Sequence, residues 1–139
     1  MMLHRDAVLF TNEAFYRAFA GRDSVLMDEL WARDAPVTCI HPGWHPLTSR
    51  EDVMDTWKSI LSNPETPDVE CLNVDVHMHD AMAIVTCHQN VDGQYLSATN
   101  VMVLEHGRWL MVHHQAGPVA TPPEDLEAAE TATSGCVMN

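Results

Sequence analysis

Between Leu72 and Pro118 the chain passes through four extended stretches separated by turns of two or three residues. Turns that short join only antiparallel neighbours, so about a third of the chain is committed to a meander. In the first stretch Leu72, Val74, Val76 and Met78 alternate with Asn73, Asp75, His77 and His79, the period of a strand with one covered face. Asp80-Ala81 suits a tight turn into Met82–Val91. Asp92-Gly93 follows, a strong hairpin signal because the favoured two-residue turns need positive φ. Gln94–Leu104 returns, and Glu105-His106-Gly107 turns into a last strand ending at Pro118.

The first third has helical spacing instead. Val8, Thr11, Phe15 and Phe19 share a stripe beside Ala14 and Ala18, and Gly21 is a natural stop. Asp23 can cap a short second helix, in which Leu26 and Leu30, then Met27 and Trp31, pair at i, i+4. Asp34-Ala35-Pro36 breaks it before a short strand, Val37–Ile40. The loop His41-Pro42-Gly43-Trp44-His45-Pro46 leads to Thr48-Ser49-Arg50-Glu51, a capping pattern. That pattern opens a third helix with Val53, Trp57, Ile60 and Leu61 inward and Asn63-Pro64 at its end. Helices first and a meander after them make an α+β chain, with three helices covering one face of a strongly curved sheet.

A length of 139 residues suits one domain, expected over residues 1–118, followed by an acidic tail over 119–139. A net charge of -13 with seven scattered Lys and Arg argues against nucleic acid and anionic membrane surfaces as partners. No stretch is long and apolar enough to span a bilayer, and the first residues lack the pattern of a signal peptide, so a cytoplasmic location is expected. Cys39, Cys71, Cys87 and Cys136 form no CxxC pair and read as small hydrophobes. His77 and His79 share a strand face that could chelate, but no third ligand is fixed, so neither metal nor cofactor is expected.

The last strand carries polar groups among apolar ones. Regular alternation places Trp109, Met111, His113 and Gln115 on one face and Leu110, Val112, His114 and Ala116 on the other. Such a strand can line a pocket that is apolar at its base and polar at its mouth. A one-residue bulge would exchange His113 for His114 on the inner face.

The chain resembles the SnoaL-like branch of the nuclear-transport-factor-2-like superfamily, which also contains the ketosteroid isomerases. The matching residues are Leu30-Trp31, Cys39-Ile40-His41-Pro42-Gly43-Trp44 with Leu47 and Arg50, Trp57 with Ile60, Ala98-Thr99-Asn100-Val101, and Gly107-Arg108-Trp109 through Pro118. The resemblance implies a cone-shaped, cystatin-like α+β barrel, its curved antiparallel sheet wrapped around the N-terminal helices, with a pocket at the wide end. It also implies a homodimer across the outer sheet face. The chain has Gln115 where the subgroup often has a third imidazole, and Gly117 where it often has serine.

Relatives that isomerise steroids or close polyketide rings use a pocket carboxylate as base. No Asp or Glu is embedded here in an apolar strand face; Asp75 alternates onto the polar side. Histidine is therefore the candidate for acid–base work. His41 and His113 are the expected acid and base, with Asn100 as a neutral polariser of a carbonyl or enolate. Trp44, Trp57 and Trp109, with Met111 and Gln115, are the expected ligand contacts. Each also has a structural reading: His41 packed on Trp44, Asn100 as a buried amide, Trp57 and Trp109 as core. The expected function is a pocket for a small apolar or aromatic molecule, either with proton-transfer chemistry (isomerisation, cyclisation or hydration) or as a non-catalytic binding or oligomerisation module.

Overall fold

The computed structural model describes residues 3–123. Three helices precede the sheet: α1 (His4–Ala20), α2 (Ser24–Leu30) and α3 (Arg50–Ser62). The strands are β1 (Thr38–Ile40), β2 (Val69–His79), β3 (Met82–Val91), β4 (Gln94–Glu105) and β5 (Arg108–Pro118). They form one mixed sheet in the order β1-β5-β4-β3-β2, with β1 parallel to β5 and the rest antiparallel. The sheet is curved but unclosed, with β1 and β2 as its edges. Most of the tail expected over 119–139 lies outside the described residues. Among the described residues no helix is long and apolar enough to cross a membrane.

The local signals act where the sequence puts them. Asp23 caps α2 by accepting from the Leu26 N–H, and Ser49 caps α3 by accepting from the Asp52 N–H. At Gly93 the φ of +86° is one that glycine adopts without strain, which lets the β3–β4 hairpin close in two residues.

The core fills the concave side of the sheet. Phe15 is fully buried at its centre, edge-on to Trp57 at 5.4 Å and to Tyr16 at 4.9 Å between ring centroids. Arg50 ties the start of α3 to the end of α2: its guanidinium donates to the carbonyls of Ala32 and Asp28 and to the Asp28 carboxylate. Asp28, paired also with Arg33, is held below the usual carboxylate range. Cys39, Cys71 and Cys87 are free thiols, Cys39 and Cys87 buried and Cys71 half-buried.

Two bulges depart from regular alternation. In β2 the register shifts between Leu72 and Asp75, with Asn73 at a φ of 56°. Beyond the shift Val76 and Met78 pair with Val85 and Ala83 on the covered face, whereas Leu72, before it, pairs with His88 on the other face and Val74, within it, is 41% exposed. In β5, Met111 pairs with Met102 but His113 pairs with Val101, so Val112 is the extra residue. The edge of β5 is engaged on both sides of that point. Ala32 N–H donates to the Met111 carbonyl, and β1 begins its parallel pairing at His113. The bulge lets one strand serve both neighbours, and it reverses the faces of every later residue.

Candidate functional site

A cavity of about 380 Å³ lies between α3, the loop after β1 and the far half of the sheet. Phe19, Trp57 and Ile60 wall it from the helices, Val69, Val91 and Leu96 from the sheet, and Trp44 from the loop. Its polar lining consists of His41, His114, Gln89 and Gln94, and among the described residues no Asp, Glu, Lys or Arg contributes. A space of this size and greasiness suits a small, uncharged organic molecule.

His41 follows directly on β1. Its Nε2 is 2.9 Å from Thr56 Oγ1, on the second turn of α3. The Thr56 hydroxyl donates to the Val53 carbonyl at 2.8 Å, so its oxygen accepts from His41 and the imidazole carries its proton on Nε2. The ring stands edge-on to Trp44 at 5.2 Å and to Trp57 at 4.9 Å. Cys39 Sγ is 3.7 and 3.9 Å from the two ring nitrogens, a thiol that burial pushes up to about 12 and so keeps protonated. Burial also pushes the His41 pKa down to about 4.

His114 enters the cavity because of the Val112 bulge. It is 4% exposed and sits directly across from Asn100 on β4. Its Nδ1 is 2.6 Å from Asn100 Oδ1. Asn100 Nδ2 reaches Asn12 Oδ1 at 2.8 Å and the Tyr16 hydroxyl oxygen at 3.3 Å. Both amide hydrogens are thus used. Turning the amide over would leave one of them without an acceptor in a fully buried position. Asn100 therefore offers its oxygen to His114, and His114 holds its proton on Nδ1.

The other nitrogen, Nε2, has no partner among the described residues. Among the described residues the only sealed side-chain nitrogens without a partner are the indole nitrogens of Trp31 and Trp57. Nε2 is therefore open to the cavity as a lone pair. Burial, reinforced by the nearby His41 and His113, pushes the His114 pKa down to about 3. Among the described residues no carboxylate stands beside the ring to stabilise an imidazolium.

The support behind Asn100 is polar and buried. Gln89, from β3, donates to the Tyr16 hydroxyl oxygen at 2.9 Å, and that oxygen lies 3.3 Å from Cys87 Sγ. Asn12 Nδ2 is 4.0 Å from Cys71 Sγ. Burial raises the Tyr16 pKa well above the usual phenol range. Asn12 and Tyr16 are one helical turn apart on α1, so one helix face fixes both of Asn100's acceptors.

The residues expected at the site separate into two groups. His41, Trp44 and Trp57 line the cavity, and Asn100 stands one layer behind it. His113, expected inside, lies on the opposite face, its Nδ1 2.6 Å from Thr38 Oγ1. Burial lowers its pKa, partly offset by a hydrogen bond with Gln115. Trp109 and Met111 are buried in the core away from the cavity, with Trp109 Nε1 donating to His4 Nδ1 at 2.9 Å. Gln115 is exposed. The extra residue at Val112 is the common cause: beyond it, His114 and Ala116 replace His113 and Gln115 on the inner face. Sequence reasoning did not single out Asn12, Tyr16, Thr56 or Gln89. Gln89 carried a signal, since it falls in phase with Ala83, Val85 and Cys87 on the covered face of β3.

A SnoaL-like domain model matches residues 8–121. The F-box protein SKIP8 of Arabidopsis thaliana is 30% identical over 112 residues, 79% of this chain and 48% of SKIP8, so the chain spans about half the length of that curated relative. A candidate dehydratase of the NTF2-like family from Streptomyces avermitilis superposes with a TM-score of 0.77 and 31% identity, over 84% of this chain and 96% of that one. A candidate calcium/calmodulin-dependent protein kinase type II association domain from Thiobacillus denitrificans gives 0.68 and 32%, over 78% and 92%.

Proposed function

We propose, from the premise that the chain belongs to the SnoaL-like domain family, that its cavity binds a small, neutral, apolar or aromatic molecule. The observation that carries this reading is the unpartnered Nε2 of His114 at the floor of an apolar space that no charged residue lines among the described residues. A buried imidazole whose lone pair meets no protein donor is a ready anchor for a ligand. Ligand-detected NMR with a library of neutral aromatic metabolites tests it. Binders should displace the Trp57 indole resonance. A library with no binder that does so would refute the reading.

A second reading adds proton transfer, with His114 as the acceptor, Asn100 as its orienter and His41 beside it. The specific observation in its favour is the base-and-orienter geometry of His114 and Asn100, backed by Asn12 and Tyr16. The likeness to the candidate dehydratase from Streptomyces avermitilis is consistent with it. Incubating each binder with the protein in deuterium oxide tests this step, because reversible proton transfer at carbon places deuterium in the ligand. His114→Gln should abolish that incorporation. Retention at the wild-type rate would remove His114 from the role.

We also propose that a second copy packs on the outer sheet face, where Ile84, Val101, Val103 and Val112 are half-buried apolar side chains. Sedimentation equilibrium should give twice the chain mass, and Val101→Glu should give the single-chain mass.

A further inference from the structure

The structure assigns a polarity to this cavity: we infer that it selects ligands presenting a hydroxyl or N–H donor to His114 Nε2 over ligands presenting only a carbonyl or a carboxylate. This rests on the ligand-binding reading above and narrows it to a chemical class.

The hydrogen-bonding groups that face the cavity are mostly acceptors. His114 gives its proton to Asn100, so what remains is an acceptor. Gln89 spends one amide hydrogen on Tyr16. Its Oε1 has no protein partner and is not among the sealed atoms, so it too opens onto the cavity that Gln89 lines. The indole N–H of Trp57 could have served a carbonyl, but it is sealed away from the cavity surface. His41 uses its N–H on Thr56. The inner wall therefore offers acceptors at His114 Nε2 and Gln89 Oε1, with the His41 Nδ1 lone pair beside Cys39 Sγ, and among the described residues its donors are the second amide hydrogen of Gln89 and the amide of Gln94, an exposed residue of the lining. An alcohol or phenol can donate to His114 and still accept from Gln89. A ketone can accept from the Gln89 or Gln94 amide but leaves the His114 lone pair dry and unpaired, which costs more than a missing bond in water. A carboxylate meets that lone pair with no cation among the lining residues to offset its desolvation.

The matched probes are 1-indanol, 1-indanone and indane, which share one bicyclic skeleton and no charge. Each is titrated into 15N-labelled protein while the Trp57 indole signal is followed. The inference expects 1-indanol to bind about tenfold more tightly than either of the other two. Equal affinities for 1-indanol and indane, or tighter binding of 1-indanone, overturn it while leaving the binding reading in place. No saturable shift with any of the three overturns the binding reading itself, and the inference with it. His114→Leu should erase the advantage of the alcohol; an advantage that persists in the folded variant removes His114 as the acceptor. The wild-type comparison is decisive by itself if that variant does not fold.

Discussion

Acid should unfold this protein through its two buried imidazoles. The perturbation is a change from pH 7 to pH 5. In the unfolded chain a histidine titrates near 6.5. In the folded protein burial holds His114 at about 3 and His41 at about 4. Through the intervening pH range the unfolded chain binds more protons than the folded one, so stability rises with pH there and is lost on acidification. Each histidine accounts for a loss of about 2 kcal/mol between pH 7 and pH 5, about 4 kcal/mol together, from the linkage relation. That is a large part of the 5–15 kcal/mol typical of a domain (roughly, for a chain this size). His113 adds to the loss in the same direction. His106, raised by Asp34, acts the other way but is fully exposed. Asp28 and Glu105 are lowered, so their contributions are lost only below the unfolded carboxylate range and lie outside this window. Urea denaturation at pH 7, 6 and 5 reads the slope. His114→Phe should lower the overall stability, because Asn100 Oδ1 loses its donor, and should flatten the pH dependence by about half. A wild-type stability that is flat from pH 7 to pH 5, or a variant with the wild-type slope, would refute the reasoning.

Three further outcomes follow from the same geometry. Asn100→Asp places a carboxylate against His114 Nδ1 and should move the imidazole pKa upward, seen as an NMR titration of His114 within the stable pH range. Phe15→Ala removes a fully buried ring that packs 4.9 Å from the His114 ring, and should cost about 3–5 kcal/mol by urea denaturation. Arg50→Ala should cost about 2 kcal/mol by the same assay, because it frees the Ala32 and Asp28 carbonyls and removes charge-assisted hydrogen bonds between α2 and α3.

Much of this architecture is legible before any coordinates, because its signals are local. Asp23 and Ser49 cap the helices they precede, Asp92-Gly93 closes the hairpin it promises, and the stripe Val8, Thr11 and Phe15 is the face that α1 buries. The face of His113 could not be read the same way. It depends on an extra residue in β5, and the partners on the edge of that strand at this point, Ala32 and Thr38, are some eighty residues distant in sequence. Strand alternation says where a side chain points only while the register holds. The layer behind His114 was hidden for another reason. Asn12 and Tyr16 on a helix resemble ordinary surface residues until Asn100, far along the chain, is found between them. Asn100 itself was singled out as a polariser facing a ligand; the fold gives its oxygen to His114 and its hydrogens to α1 instead.

The proton of His114 decides what the cavity can accept, and nitrogen NMR of 15N-histidine-labelled protein reads it directly. The expected result is a neutral ring protonated on Nδ1, with the bare Nε2 signal unchanged between pH 8 and pH 5 and displaced by an alcohol in the cavity. A ring protonated on Nε2, or one that becomes a cation near pH 6, would contradict it.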